Sequence, residues 1–414
     1  MKNLFLNRLA FSGLYDDGES FWVIMLRFNA LFKINKKSFK AEYKGSFPDE
    51  QVTLPCLYIG VAFYNGKLYF SPYNAKEIAG YDIDTDMFFK IRIPWLKSSC
   101  ESVRFISLFQ YSSYIFFVGE NGVIVKYSPD EEEWQYFYCL VGDNDILFSA
   151  VHANENILAL ASKNKKSVLL FNMDTCESHL NYIGNEIGAF SGICFDGENY
   201  WISPLYEGSV VKWNAVDNSC KMFCDYPKGF SVADARESFF FAHYSNGFVW
   251  LFPHGANMVL KINVCDGTIS IAEEFQQKLG CEADTCYSFN YLFATVSDNM
   301  IYSFIEKTNK FVLYNTETSE IVEKLILIDP EEKSKMEKHF LQAFAEIYKK
   351  VYLHKEDIFL KYFSVDFNDY IDYICNNRCY DGLENKSHNV YINAGDIIYK
   401  HLKYEVLKNE LNKE

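Results

Sequence analysis

The strongest constraint on this chain is that it repeats itself. Phe11-Ser12-Gly13-Leu14-Tyr15-Asp16-Asp17-Gly18-Glu19-Ser20-Phe21-Trp22 aligns with Phe190-Ser191-Gly192-Ile193-Cys194-Phe195-Asp196-Gly197-Glu198-Asn199-Tyr200-Trp201, and seven of the twelve positions are identical at an offset of 179. A second pair, Asn65 to Pro72 and Asn246 to Pro253, lies 181 residues apart. Both offsets are about four periods of roughly 45 residues, the range that marks stacked repeat units. A weaker signature marks the other copies: an apolar strand ending in an aromatic residue or Ile, then Asn, Asp or Ser. It occurs at Ile34-Asn35, Tyr81-Asp82, Tyr127-Ser128, Phe171-Asn172, Trp213-Asn214, Ile262-Asn263 and Tyr314-Asn315, with gaps of 47, 46, 44, 42, 49 and 52 residues.

Each copy reads as four short strands separated by turn chemistry. In the fifth, Phe190 to Phe195 is an apolar run and Asp196-Gly197 supplies the positive-φ turn that hairpins favour. Tyr200-Trp201-Ile202, Ser209 to Asn214 and Cys220 to Cys224 follow as further strands. A four-stranded sheet of this size is too thin to bury both faces, so each unit must stack on two neighbours. The expectation is an all-β, seven-bladed β-propeller of four-stranded antiparallel blades over residues 1–328. The aromatic content of 18% supplies the packing, with Phe32, Tyr69, Phe117, Trp201, Trp213 and Trp250 expected in the wedges between blades. How the ring is closed, and whether the first nine residues take part, is left open by the sequence.

The pattern changes at Asp329-Pro330-Glu331-Glu332, a capping residue, a Pro at the first helical position and acids in the first turn. Met336, Phe340, Phe344, Ile347, Tyr348 and Val351 then recur at helical spacing, and further helical patterns run at 357–363, 366–375 and 394–411. Residues 329–414 are therefore expected to form a small C-terminal α-helical extension, packed on the ring or offered to a partner.

The net charge of −15 makes phosphate-backbone recognition a poor fit, so no nucleic acid is expected. No window approaches the roughly 20 apolar residues of a membrane span, so no membrane partner is expected. The N-terminal apolar run is broken by Asn7 and Arg8 before it reaches the length of a signal-peptide core. The expected location is cytoplasmic, with the 12 Cys as reduced thiols. Cys220/Cys224, Cys281/Cys286 and Cys375/Cys379 lack zinc-knuckle spacing, and no two of the eight His are spaced to share a ligand. No metal and no cofactor are expected.

Propellers bind on the face formed by the loops between second and third strands and by the crossovers between blades. The second-to-third loops here carry Arg27 and Asn29, Tyr73 and Asn74, Asn121, Asn164, Tyr206, His254 and Asn257, and Asn309. Asn recurs in six of the seven loops. One account is conformational: Asn tolerates the left-handed backbone of a turn and hydrogen-bonds locally. The other is functional: a ring of amides, two tyrosines, one Arg and one His suits a polar ligand such as a sugar or peptide. His152 and His243, on innermost strands, are the candidates if the protein is instead a lyase or lactonase of propeller type. No catalytic motif accompanies them.

On these repeats and on the blade motif Asn29-Ala30-Leu31-Phe32-Lys33-Ile34, residues 5–328 resemble the β-propeller class, nearest to kelch-like, quinoprotein-like and related bacterial propellers. The chain lacks the kelch double glycine, a Trp-Asp dipeptide and a quinone-binding motif. The resemblance implies the fold and a recognition role, without a reaction. The expected function is thus a non-catalytic recognition or scaffold protein. It would bind a polar ligand or a protein partner on its loop face, as an accessory to surface-glycan or peptide modification, with the C-terminal helices as a second contact.

Overall fold

A computed structural model describes residues 10–52, 54–93, 103–140, 145–183, 188–233, 237–276, 291–297, 299–305, 310–336 and 338–339. Seven antiparallel sheets follow one another along the chain at 11–45, 58–91, 105–138, 148–182, 190–223, 239–271 and 291–325, and they form a seven-bladed propeller ring. Each blade runs outward from its first strand, and its four blade strands pair in sequence order. The innermost strands are Phe11–Asp16, Tyr58–Tyr64, Phe105–Tyr111, Phe148–Asn154, Phe190–Phe195, Phe239–Ser245 and Tyr291–Ser297.

Two local devices recur and explain why the sequence folds this way seven times. The first is the turn from third to outermost strand, which the Asn, Asp or Ser of the repeat signature opens. The side-chain oxygens of Asn35, Asp82, Asn172, Asn214, Asn263 and Asn315 accept backbone N–H groups two or three residues on. Four residues after each signature position the backbone turns left-handed, at Phe39, Asp86, Glu132, Cys176, Asn218, Gly267 and Ser319, with φ between 55° and 80°. The second device is a bulge at the head of every innermost strand, immediately after an aromatic residue. Where the innermost strands of blades one and two converge, a Cβ on Gly13 would lie 2.8 Å from the Gly60 nitrogen, so only Gly fits.

The core is divided among the gaps between blades. Trp22, Tyr58 and Tyr81 fill the first, Tyr69 and Phe117 the second, and Phe116 and Phe148 the third. Trp213 fills the fourth gap, Trp201 the fifth and Trp250 the sixth, whereas Phe32 packs on Tyr43 within its own blade. Aromatic rings pack the last gap: Phe311 meets Phe11 at 5.7 Å, Phe21 at 5.3 Å and Phe39 at 5.9 Å. Blade one also carries a fifth strand, Leu327–Ile328, and the Leu327 N–H donates to the Phe39 carbonyl at 2.9 Å. The chain thus leaves the last blade along the outer edge of the first.

Contacts divide the chain into two units, one of them Ala10–Glu306 with Lys310–Leu327, the other Met1–Leu9, Lys307–Asn309 and Ile328–Glu414. The described part of the second holds a helix at 330–336, as Asp329-Pro330 predicts, with the Lys333 N–H on the Asp329 carbonyl at 3.0 Å. The helices expected at 357–363, 366–375 and 394–411 lie outside the described residues. Among the described residues no helix is long and apolar enough to cross a membrane.

Candidate functional site

One backbone bond organises the loop face. In six blades the N–H of the residue just after the second strand donates to the carbonyl of the residue just before the innermost strand. The pairs are Leu26 to Ala10, Tyr73 to Leu57, Glu120 to Arg104, Lys163 to Leu147, Leu205 to Ala189 and His254 to Ser238, at 2.6–3.0 Å. The seventh equivalent, Glu306, lies outside the described residues. Three of these donors also accept from the following blade, Cys56 to Leu26, Phe148 to Glu120 and Ser238 to Leu205, at 2.6–2.7 Å. In six blades one residue therefore has its backbone held at an equivalent place on the loop face.

Four of those six side chains are polar. Glu120 and Lys163 form an ion pair that joins blades three and four. The guanidinium of Arg104, from the crossover into blade three, stands over the Tyr73 ring at 5.5 Å. His254 lies flat on Phe240, with ring centroids 3.7 Å apart and planes 15° apart, and its Nδ1 is 3.8 Å from the Glu237 carboxylate. Burial pushes the Glu237 carboxyl above the usual carboxylate range, and Lys163 pulls against that shift. Burial likewise raises the Tyr73 hydroxyl, reinforced by Glu120 and opposed by Arg104 and Lys163. The Cys56 thiol is pushed up by burial and pulled down by Arg27. The contacts at this face are thus Arg104 with Tyr73, Lys163 with Glu120, and His254 with Glu237.

The recurring Asn residues mostly hold the backbone of the crossovers between blades. None of Asn29, Asn74, Asn121, Asn164 and Asn257 has a positive φ. Asn29, 1% exposed, accepts the Phe47 N–H at 2.7 Å and donates to the Phe47 carbonyl at 2.9 Å. Asn74 donates to the Pro55 carbonyl at 3.0 Å. Asn164 accepts the Leu147 N–H at 3.0 Å, and Asn257 accepts the Ser231 N–H and donates to the Gly229 carbonyl, both at 2.9 Å. Each of these four clamps the backbone of a crossover between blades. Asn121 accepts the N–H of Val123 at 3.3 Å, within its own turn. Tyr206 stays open on this face, with its side chain among the few exposed large aromatics. Asn309 lies outside the described residues.

His152 and His243 each sit four residues after the aromatic that heads their innermost strand, opposite Ala159 and Trp250. The Nε2 of His243 is 2.9 Å from the Ala294 carbonyl, which only accepts, so that nitrogen carries the hydrogen. Burial, and then His243, push His152 down to about 4. Burial lowers His243 as well. The influences on the two rings are thus burial, a neighbouring imidazole and a backbone carbonyl. The imidazole with a carboxylate beside it is His254. Among the described residues no group of three or more His, Cys, Asp or Glu could hold a metal ion.

Of the residues that make these contacts, the sequence reading named Tyr73 and His254 as candidates and did not name Arg104, Glu120, Lys163 or Glu237. The signal was positional: the residue one past each second strand, and those one or two before each innermost strand.

No known protein family matches this sequence, and no curated protein does. Among solved structures, a crystal structure of the computationally designed Ika8 protein is similar, at 10% identity and a TM-score of 0.52 over 78% of this chain and 90% of that one. At that identity the likeness shows a shared fold and nothing of function.

Proposed function

We propose that this propeller is a non-catalytic recognition protein that binds a polar ligand, a sugar or a peptide, on its loop face. The observation that carries the reading is the channel mouth, where Arg104 on Tyr73, Lys163 with Glu120, and His254 beside Glu237 are presented on backbone stitched between blades. Preorganised polar groups beside aromatic faces are what a small polar ligand needs. The segment from Asp329 onward is the second candidate contact, and a cytoplasmic location belongs to the same reading.

Screening the full chain against neutral oligosaccharides and short peptides tests it. Lys163→Glu sets a carboxylate against Glu120, and Tyr73→Ala removes the platform under Arg104. Each is expected to weaken a bound probe by about tenfold or more, the scale of one lost charge-assisted contact. Lys67→Glu, at the opposite end of blade two, is expected to leave binding unchanged. Binding that ignores Lys163→Glu and Tyr73→Ala, or no binding by any probe, refutes the reading.

A further inference from the structure

The outermost strand of a blade has one unpaired edge, and such an edge is a template for another strand unless it is covered or charged. In blade one the strand Leu327–Ile328 covers it. In blade seven Glu323 and Lys324 lie along it. Blade five differs. Its outermost strand, Cys220–Phe223, is exposed at its first three positions, and among the described residues no strand pairs with its outer edge. Met222 is 41% exposed, and Cys220 and Cys224 are exposed free thiols. The one charge on the strand, the Lys221 ammonium, stands over the Phe223 ring at 4.9 Å.

The ladder inside the blade shows which backbone groups are free. The Asn214 N–H donates to the Ser219 carbonyl at 2.9 Å, and antiparallel pairs alternate from there. Lys212 with Lys221 and Val210 with Phe223 are the bonded pairs, and Trp213 with Cys220 and Val211 with Met222 the non-bonded ones. The N–H and C=O of Cys220 and Met222 therefore point out of the blade. A second copy related by a two-fold axis must set outward groups against outward groups, which leaves few registers. One centred on Lys221 brings two ammonium groups face to face, a destabilising pair. One centred on Met222 sets Met222 on its own copy, Lys221 opposite Phe223, and Cys220 opposite Cys224. Cys220-Lys221-Met222-Phe223-Cys224 is thus self-complementary about its centre: thiol to thiol, thioether to thioether, cation to aromatic.

We infer that this edge is a self-association surface, on which two copies join blade five to blade five by antiparallel pairing centred on Met222. The inference is independent of the loop face. A ladder this short buries well under the roughly 1,200 Å² of a stable interface, so the dimer is weak and concentration-dependent. The net charge of −15 on each copy opposes it, so association strengthens as salt screens that charge.

The test uses the full chain under reducing conditions. Sedimentation over a range of protein and salt concentrations reads association, and dibromobimane, which links only thiols in close proximity, reads register. Within one chain Cys220 and Cys224 are four strand residues apart, about 13 Å, so a short link between them joins two copies. The expected result is a cross-linked dimer whose peptides map to Cys220 with Cys224. Met222→Lys, which sets like charges on the axis at an exposed position, should weaken association by about tenfold with unchanged thermal melting of the monomer. Val216→Lys, 96% exposed in the turn before the strand, should leave association unchanged. A monomer at every concentration and salt overturns the inference, as do links confined to Cys220 with Cys220 or Cys224 with Cys224, and as does association that ignores Met222→Lys.

Discussion

Replacing Asn29 with alanine removes a side chain that is 1% exposed and holds both polar groups of one peptide segment. Its Oδ1 accepts the Phe47 N–H at 2.7 Å and its Nδ2 donates to the Phe47 carbonyl at 2.9 Å. Alanine leaves both orphaned. An unsatisfied buried donor or acceptor costs about 1–3 kcal/mol, and the carbonyl bond at 2.9 Å is the longer of the two, so the expected loss is about 2–4 kcal/mol. The loss should not stay local, because the clamp seats Phe47, whose ring lies 4.4 Å from Tyr58, 4.9 Å from Phe70 and 5.2 Å from Phe88 in the wedge between blades one and two. Asn164→Ala is the control: its amide also clamps a crossover but beside solvent, where water replaces the lost bonds, and about 0.5–1 kcal/mol is expected. Urea denaturation of the three proteins, followed by tryptophan fluorescence, gives the comparison. A loss below about 0.5 kcal/mol for Asn29→Ala, or a larger loss for Asn164→Ala, would refute the assignment of these amides to stitching blades.

The remaining predictions concern the turns, the closure and pH. At one equivalent turn position, exposed Glu132 has a φ of 55° and Gly267 a φ of 80°, and a Cβ on Gly267 would collide with the Phe223 ring. Glu132→Gly should therefore stabilise by about 0.5–1 kcal/mol, as relief of left-handed strain outweighs the added chain entropy, and Gly267→Ala should destabilise by more than about 2 kcal/mol, both read from denaturation midpoints. Phe311→Ala should cost about 3–5 kcal/mol and expose the junction of the last and first blades to limited proteolysis, because the ring closes there by aromatic packing. His152, held down to about 4 against an unfolded value near 6.5, leaves the unfolded state binding the extra proton between those pH values. Stability should therefore fall as pH drops from about 6.5 to about 4, by roughly 3 kcal/mol at most from this group, and His152→Gln should flatten the fall seen in thermal melts across that window.

The fold was legible because its instructions are local and repeated. Asn35, Asn172 and Asn315 each open a turn with their own side-chain oxygen, so a residue type at a fixed position announces the same geometry in blade after blade. Ring closure was not legible. It depends on Leu327 reaching Phe39 and on Phe311 reaching Phe11, pairings between opposite ends of the repeat array that no local pattern encodes. The site was half legible for a related reason. Recurrence drew the eye to Asn in the loops, and recurrence is what a stitch repeated around a ring produces. The polar groups at the equivalent position differ from blade to blade, Tyr73, then Glu120, then Lys163, then His254, and are united by standing one residue past a strand end. Arg104 gains its meaning from Tyr73, which approaches it only when separate blades are assembled, and Glu237 gains its meaning from His254 across the first hairpin of blade six.

The most direct check on the recognition face is amide hydrogen exchange of the full chain with and without a saturating probe taken from the peptide and oligosaccharide screen. Slower exchange is predicted at the stitched amides of Tyr73, Glu120, Lys163, Ser238 and His254, whose carbonyl partners also lie on the loop face. Protection confined to the far hairpin turns, Asn65-Gly66 and Asn246-Gly247, would place the ligand on the opposite face and contradict the account.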